Sequence, residues 1–561
     1  MSESSNLTRR RLLTALTGAG IGSVVFQRAL TAQVEKAKRV TPEMIKQAEW
    51  IAGYELTERQ RLVTAALMTR TLDEFKQMRA VDLDNSVAPA LVFDPQPWHA
   101  DAPSSKAGSV TLSEKAAPKK PDSEEKLAFL PVTELSALIR ERKLTSTELT
   151  KLYLKRLKQY DPGLLCVVNL TEKLALEQAA RADREIAAGR YRGPLHGIPW
   201  GAKDLIAYPG YPTTWGCSQF EKQTIDTKAT VAQKLEDAGA VLIAKLSLGA
   251  LAMGDQWFKG KTRNPWDQRR GSSGSSAGSA SATAAGLVGF ALGSETLGSI
   301  VSPCRECGTS GLRPTFGRVS RHGCMALSWS MDKIGPIARS LEDCALILGA
   351  IHGADGHDAA AVNRPFSWPL ARNLTSLKVG YFKSEGEIRN RADLKVLSDL
   401  GVKLIPIELP KTLPHNALRM ILFTEAATVF DEWTRQGKTE GFNSWPFRFR
   451  LGEMIPAVEY LRANRIRSLL MQEMNRLMEK VDAYVGGDDL VITNLTGHPS
   501  IVMPKEFRKV RGTERPYSIK LTGRLFGESE LLALGHACQQ ATGAHLKHPD
   551  LSKLAKLSTE K

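Results

Sequence analysis

A run of sixteen small residues, GSSGSSAGSASATAAG, occupies positions 271–286 near the middle of the chain. Gly/Ser/Ala runs are usually flexible linkers, but this one is followed at once by the apolar stretch LVGFALG (287–293) and by SETLGSI (294–300). The run therefore belongs to the part of the chain that forms the core. Small side chains there let backbone amides approach a substrate closely, so we expect a functional site rather than a tether.

Composition narrows the class of protein. The chain has 561 residues, of which 42% are apolar and 24% charged, as is typical of globular proteins rather than disordered or membrane-embedded ones. Its seven cysteines are irregularly spaced, which argues against a disulfide framework. Cys304 and Cys307 lack a second ligand pair for zinc, and the histidines form no HExxH motif, so we expect no metal and no organic cofactor.

The formal net charge of +16 raises the question of a nucleic-acid partner. The basic residues are spread along the chain, and their runs are short, as at Lys119-Lys120. Such a distribution is typical of a solvated surface, so we expect no nucleic acid.

The first 32 residues have the layout of an export signal. Three arginines (9–11) precede an apolar stretch from Leu12 to Phe26 and a small-residue segment from Ala29 to Ala32. Fifteen apolar residues are too few to cross a bilayer as a helix, so we expect no stable membrane anchor. The arginines followed by two leucines resemble a twin-arginine signal, which predicts the twin-arginine export machinery as a partner and a periplasmic or secreted protein.

Patterning divides the remaining chain. Helical spacing over 41–80 predicts two or three helices within an N-terminal extension spanning 33–98. A Ser/Ala/Pro/Lys-rich segment over 99–126 is typical of a linker, and we expect the main domain at 127–545 and a tail at 546–561.

Within the main domain, amphipathic helices alternate with short strand-like runs. Helices are predicted at 132–142 and at 146–160, the second with a capping box formed by Thr145 and Glu148. Strand-like runs occur at 241–245, 287–293, 377–382, 490–497 and 517–526. This alternation predicts an α/β fold with a mixed central sheet covered by helices on both faces.

Several separate motifs resemble the amidase signature family of hydrolases, and together they cover about 127–545. The main segments are GPLHGIPWGAKD (193–204), NPWDQRRGSSGSSAGSASATAAG (264–286), ALGSETLGSI (291–300), CGTSGLRPTFGRVSRHG (307–323) and DKIGPIARSLEDCALIL (332–348). The resemblance implies the amidase signature fold and a Ser-Ser-Lys triad. Lys203 matches the family's base, Ser275 the bridging serine after a cis peptide bond, and Ser299 the nucleophile.

The chemistry requires these residue types. A serine hydroxyl needs a base to accept its proton, and lysine can be that base only when neutral. Lowering a lysine pKa from ~10.4 to near 7 costs about 4 to 5 kcal/mol, which burial must supply. Asp204 would oppose that shift, but consecutive side chains of an extended chain point to opposite sides. Backbone N–H groups from Thr296, Leu297, Gly298 and Ser299 are expected to form an oxyanion hole.

Two departures from the family pattern bear on activity and specificity. Leu297 stands where the family often has glycine, and it would strain the turn if that position required a positive φ. Val301 stands where many members have arginine, which removes one partner for a substrate carboxylate and favours neutral substrates. The variable segment of about 370–450 offers Trp433, Trp445 and Phe447 either as pocket walls or as core residues.

The predicted function is therefore an exported amidase that hydrolyses a small-molecule or peptide amide through an acyl-enzyme. A homo-oligomer is compatible with the sequence. Three alternatives stay open: a GxSxG hydrolase with Ser276 as nucleophile, a cytosolic component of an aminoacyl-tRNA amidotransferase, and an exported binding protein without activity. The GxSxG alternative needs a strand before the serine, and none is predicted in NPWDQRRGS (264–272).

Overall fold

A computed structural model of the protein describes residues 39–52, 55–83, 91, 108–111, 118–386, 388–552 and 554. The predicted export signal and much of the predicted linker lie outside these residues. The chain divides into two units, and the domain limits expected from the sequence stay predictions. None of the described helices has the length and hydropathy needed to cross a membrane.

The smaller unit combines the described residues up to Leu91 with residues 412–439 and 444–468. It begins with helices α1 (Pro42–Ala52) and α2 (Glu58–Arg79), as the helical spacing over 41–80 predicts. Their core consists of Ile45, Leu56 and Ala65.

The larger unit contains an eleven-stranded mixed sheet flanked by helices, together with two small two-stranded sheets. The strands are β1 Val167–Leu170, β2 Pro199–Lys203, β3 Val241–Leu246, β4 Gln256–Trp257, β5 Gly260–Lys261, β6 Arg263–Asn264, β7 Asp267–Gly271, β8 Phe290–Glu295, β9 Ser310–Arg313, β10 Lys333–Ala338, β11 Lys378–Tyr381, β12 Lys403–Pro406, β13 Ala483–Val485, β14 Ser500–Val510 and β15 Thr513–Gly523.

The remaining helices follow in chain order, and α15 runs from the smaller unit into the larger. They are α3 Glu124–Ala128, α4 Val132–Arg140, α5 Ser146–Leu164, α6 Glu172–Ala187, α7 Thr230–Asp237, α8 Ala277–Ala284, α9 Val301–Cys307, α10 Leu341–Ile351, α11 Ala392–Asp399, α12 Met420–Val429, α13 Asp431–Arg435, α14 Trp445–Glu453, α15 Ala457–Met478, α16 Leu490–Leu495 and α17 Glu528–Thr542.

The strand order in the large sheet is β1-β3-β2-β8-β10-β9-β14-β15-β13-β11-β12. Parallel pairing joins β2 to both β3 and β8, and β11 to both β12 and β13, whereas the other neighbours are antiparallel. The sheet is mixed, as the alternation of helical and strand-like segments predicts. Strands β2 and β8 lie side by side, and their ends carry the candidate site.

One predicted helix start is confirmed, and one predicted strand is replaced by a helix. Thr145 Oγ1 accepts the Glu148 N–H at 3.0 Å, and the Glu148 carboxylate accepts the Thr145 N–H at 2.8 Å, so the predicted capping box starts α5. The prediction of a strand at 490–497 is wrong, since 490–495 form α16. A short buried apolar run fits either element, and here the helix places the Asn494 side chain against Glu295 at 2.9 Å.

Asp343 in the first turn of α10 gives the fold a testable pH dependence. Its carboxylate accepts the Thr133 N–H at 3.1 Å at the start of α4, and burial raises its pKa to about 6. The folded state therefore holds this proton at pH values where the unfolded chain has lost it. The bound proton therefore contributes to the free energy of unfolding. This contribution is fully present below about pH 4 and is lost as the pH rises through about 6, by about 1.4 kcal/mol per pH unit.

Asp343→Asn removes this titration while keeping an oxygen for the Thr133 N–H. We expect the Tm of the variant, relative to that of the wild type, to rise between pH 5 and pH 8. Thermal unfolding at the two pH values measures the difference. A difference in Tm that does not change with pH would show that Asp343 does not titrate in this range.

Candidate active site

Lys203 is the last residue of β2, the strand between β3 and β8, and its side chain is fully buried. Its Nζ donates to Ser275 Oγ at 2.8 Å, Ser276 Oγ at 3.1 Å and Ser294 Oγ at 2.9 Å, and lies 3.2 Å from the Ser294 carbonyl. None of these partners is charged. Burial lowers the pKa of Lys203 to about 7, against the opposing charges of Asp332 and Glu295.

The neighbouring aspartate does not undo this shift. Asp204 Oδ1 pairs with Lys245 on β3 at 2.7 Å, and its other oxygen accepts the Thr214 N–H at 2.9 Å. The expected alternation of side chains at 203 and 204 is therefore confirmed, and two buried lysines on adjacent strands have different surroundings. Lys245 has a carboxylate partner, whereas Lys203 faces hydroxyl groups.

The Gly/Ser/Ala run brings the next site residue to Lys203. The peptide bond between Gly274 and Ser275 is cis, and Ser275 is fully buried just before α8. A Cβ at Gly274 would lie 1.8 Å from the Gly254 carbonyl oxygen, and one at Gly278 would lie 2.4 Å from the Cys166 carbonyl oxygen. The small residues are thus required by close backbone packing, in agreement with the placement of this run in the core.

Ser299 lies in the loop between β8 and α9 and is only partly buried. The Ser299 carbonyl accepts the N–H of Ser276 at 3.1 Å, so this loop is hydrogen-bonded to the segment that contains Ser275 and Ser276. In the described chain no hydrogen bond joins the hydroxyls of Ser275 and Ser299, although catalytic hydrogen bonds often tighten only in the substrate complex. Gly298, rather than Leu297, has the positive φ, at 93°, so the strain considered for leucine does not arise.

The backbone of this loop presents unused donors. Within the described part of the chain, the N–H groups of residues 296–299 donate no hydrogen bond, whereas those of Ile300 and Val301 bind the Glu295 carboxylate at 2.9 and 3.0 Å. A row of free N–H groups beside a serine can receive an oxyanion. The oxyanion hole expected from residues 296–299 stays a prediction, and these unused donors are compatible with it.

Glu295 anchors the loop from inside the core. Its Oε1 accepts Arg313 Nη1 at 2.8 Å and Asn494 Nδ2 at 2.9 Å. Burial would raise the pKa of Glu295, but the Arg313 charge and the Val301 N–H lower it to about 2. The carboxylate is therefore ionised and fixes the start of α9.

A cavity of about 540 Å³ opens beside this loop. Its wall includes Ser294 and Thr296 next to the buried lysine. Ten of the other seventeen described lining residues are apolar: Leu205, Ala252, Cys324, Met325, Ala326, Leu327, Trp329, Ile334, Ala359 and Ala360. The polar and charged ones are Arg321, His322, Asp332, Lys333, His357 and Asp358. The charge of Arg321 at this wall is matched by Asp358, which it contacts at 2.7 Å and 2.8 Å. The cavity therefore offers an apolar surface without an unpaired charge from Arg321.

Sequence analysis missed three side chains of this site. Ser276 and Ser294 share the Lys203 amine with Ser275, and Asp332 lines the cavity. The sequence pattern suggests Ser276 only as a rival nucleophile. The other two lie inside the quoted segments 291–300 and 332–348, but nothing in their spacing shows that β8 and β10 bring them to Lys203.

The structure corrects one step in the argument against a GxSxG hydrolase. A strand, β7, does precede Ser276, and α8 follows it. Ser276 is nevertheless fully buried, and its hydroxyl contacts Lys203 and donates to the Ser294 carbonyl at 3.1 Å. A nucleophile needs access to substrate, so this geometry favours Ser299.

Other polar and aromatic residues of the chain have structural surroundings. The His196 Nδ1 atom accepts the Arg192 N–H at 3.1 Å, which gives this histidine a structural role. Trp445 is buried and stacks on Phe449 at 5.3 Å, which makes it a core residue of the smaller unit. Cys304 and Cys307 are both buried in α9, and no described cluster of His, Cys, Asp and Glu is arranged to hold a metal.

Comparison with known proteins identifies the family of the chain. The family model described as Amidase matches residues 148–486, a range that encloses Lys203, Ser275 and Ser299. The chain belongs to the amidase family. As a member of this family it is an amide hydrolase with the amidase signature fold.

Similar proteins include subunits of glutamyl-tRNA(Gln) amidotransferases and a peptide amidase. The chain is 32% identical to a glutamyl-tRNA(Gln) amidotransferase subunit of Coxiella burnetii (strain Dugway 5J108-111), over 75% of this chain and 99% of that one. It is 33% identical to the corresponding protein of Halorhodospira halophila, over 75% and 98%. The crystal structure of native peptide amidase from Stenotrophomonas maltophilia matches with 28% identity and a TM-score of 0.66, over 75% and 98%.

Proposed function

We propose that this amidase is an exported enzyme that hydrolyses a neutral amide, with Ser299 as nucleophile, Ser275 as proton relay and Lys203 as base. The observation that carries the proposal is the buried Lys203 amine, which has a pKa of about 7 and lies 2.8 Å from the Ser275 hydroxyl. A neutral lysine in this position has a lone pair for a serine proton.

The proposed reaction uses these groups in turn. Ser299 Oγ attacks the amide carbon as its proton passes to Ser275, whose own proton passes to Lys203. The free N–H groups of residues 296–299 stabilise the oxyanion. When the C–N bond breaks, the lysine proton returns through Ser275 to the departing amine or ammonia. Water then attacks the acyl ester by the same relay, which releases the acid and restores all three residues.

The substrate class follows from the cavity. Its wall is largely apolar, and the Arg321 charge is paired. Val301, where many family members have a cation, is 2% exposed and packs with Ile300 and Cys304. These features favour an uncharged amide with an apolar acyl or aryl group. A screen of aliphatic, aryl and peptide amides tests this class, and faster turnover of amides that carry a carboxylate would contradict it.

Trp329 is the most exposed large apolar side chain of this wall, with 50% of its surface accessible. Covering part of the indole with substrate is worth about 1.4 kcal/mol, so Trp329→Ala should raise KM roughly tenfold for the best apolar amide. Trp50→Ala, which removes an exposed tryptophan of α1 that does not line the cavity, is the matched control. Equal KM values for the two variants would exclude Trp329 from substrate binding.

Export rests on residues 1–32, which lie outside the described residues. Fractionation of cells that express the full chain tests this part of the proposal. We expect activity in the periplasm or medium, and its loss from there when Arg10 and Arg11 are both replaced by lysine. Activity confined to the cytosol in cells expressing the intact chain would contradict export.

A second candidate comes from the similar proteins. The identity to glutamyl-tRNA(Gln) amidotransferase subunits extends over nearly their whole length, which favours an amidotransferase component that works with partner proteins. The purified chain alone distinguishes the candidates. Multiple turnovers of simple amides without added protein or tRNA support the free amidase, and activity only with added partners supports the amidotransferase.

A further inference from the structure

Asp332 is a half-buried carboxylate at the junction of three parts of the site. It immediately precedes β10, which pairs with β8, and its side chain lines the cavity. Its Oδ1 accepts the Thr296 hydroxyl at 2.5 Å, and its Oδ2 accepts the N–H groups of Leu327 and Ser328 at 2.8 and 2.9 Å. The reaction steps given above do not use this group.

The hydrogen bonds of Asp332 join the loop that carries Ser299 to the segment at Leu327 and Ser328. Thr296 opens the loop that carries Ser299, whereas Leu327 lines the cavity and Ser328 lies between it and the next lining residue, Trp329. One carboxylate with donors from both loops fixes the distance between the reacting carbonyl and the acyl pocket. Such pre-positioning matters because small displacements of reacting groups cost much of the rate.

The charge of Asp332 also acts on the lysine. Lys203 is faced by the hydroxyls of Ser275, Ser276 and Ser294 and by two negative charges, of which Asp332 has the larger effect and Glu295 the smaller. Asp332 itself faces Thr296, the two backbone donors and the charge of Arg321. Burial raises the pKa of Asp332, and the Thr296 hydroxyl and the two N–H groups oppose that rise.

We propose that Asp332 is a positioning residue with two effects. Its hydrogen bonds clamp the Ser299 loop to the cavity wall, and its negative charge acts on the amine of Lys203, the proposed base. This inference rests on the proposed function of Lys203 and Ser299. It assigns to Asp332 two separable effects, one carried by hydrogen bonds and one by charge.

Asp332→Asn removes the charge but keeps the contacts. The amide oxygen can accept the two N–H groups, and the amide nitrogen can donate to the Thr296 hydroxyl, which is able to accept. Without the negative charge the lysine loses its proton more readily, so the acid limb of the kcat/KM profile should move to lower pH by about half a unit to one unit.

Thr296→Val breaks the clamp but keeps the charge. We expect kcat to fall about tenfold, KM for a small amide to stay nearly unchanged, and the acid limb to stay in place.

Asp343→Asn is the matched control for Asp332→Asn, because it also changes a carboxylate to an amide and Asp343 is not among the charges that act on Lys203. Its acid limb should coincide with that of the wild type.

The outcomes separate the inference from the function on which it rests. If Lys203→Ala is inactive but the acid limb of Asp332→Asn coincides with that of the wild type, the charge effect is refuted and the base assignment stands. If Thr296→Val retains full kcat, the clamp is refuted. This test does not depend on whether Asp332→Asn folds. If Lys203→Ala retains activity, the proposed function itself fails.

Discussion

Replacing Lys203 by alanine or by methionine is expected to abolish amide hydrolysis while the protein stays folded. The amine is the only proposed acceptor for the serine proton, and it lies 2.8 Å from Ser275. Loss of one member of such a group usually costs about as much as loss of all, on the order of 10⁴-fold or more in kcat. Methionine retains most of the side-chain volume in this fully buried place, so it limits the effect on packing.

The matched control is Lys245→Met on the neighbouring strand. Lys245 is also fully buried, but its partner is the Asp204 carboxylate at 2.7 Å. Removing it leaves a buried charge unpaired, which should lower stability by about 3 kcal/mol or more. We therefore expect Lys245→Met to be the less stable of the two variants. Per folded molecule, it should retain more turnover than Lys203→Met. Turnover of Lys203→Met at the wild-type rate would refute the base assignment.

Replacing Ser299 by alanine is expected to remove both turnover and covalent labelling. The hydroxyl is the proposed acyl acceptor, and Ser299 is only partly buried, whereas Ser275 and Ser276 are fully buried. A serine-directed fluorophosphonate probe should label the wild type once per chain and leave Ser299→Ala unlabelled. Mass spectrometry of the labelled peptide identifies the modified serine.

Ser276→Ala is the control for the rival nucleophile. The altered protein should still be labelled on Ser299, although more slowly, because Ser276 shares the Lys203 amine. Labelling of Ser276 in the wild type, or its persistence in Ser299→Ala, would contradict the assignment and favour a GxSxG hydrolase.

Sequence motifs predict the main parts of the site but not its surroundings. Lys203 and Ser275 are 72 positions apart and are joined in the sequence only by resemblance to the family, and the structure brings them within hydrogen-bonding distance. The neighbours of the small-residue run are enough to place it in the core, and the close approach of Gly274 to the Gly254 carbonyl explains why small residues are needed there.

The features that the sequence does not predict depend on contacts between segments that are far apart in the chain. Ser294 and Asp332 reach the site because β8 and β10 are antiparallel neighbours, and no local pattern specifies that pairing. The segment at 490–497 combines apolar and β-branched residues that fit a strand, yet tertiary contacts from Asn494 to Glu295 favour a helix. The strand before Ser276 is formed by the polar residues 267–271, which lack the alternation that identifies strands.

The most direct test of the central claim is the rate of fluorophosphonate labelling of Ser299 as a function of pH, because it reports nucleophile activation without later steps. A neutral lysine base with a pKa of about 7 predicts a rate that falls about tenfold per unit below pH 7 and levels off above it. In Lys203→Met the labelling should be slow at every pH. Labelling of the wild type that does not change between pH 5 and pH 9, or equally fast labelling of Lys203→Met, would contradict the account.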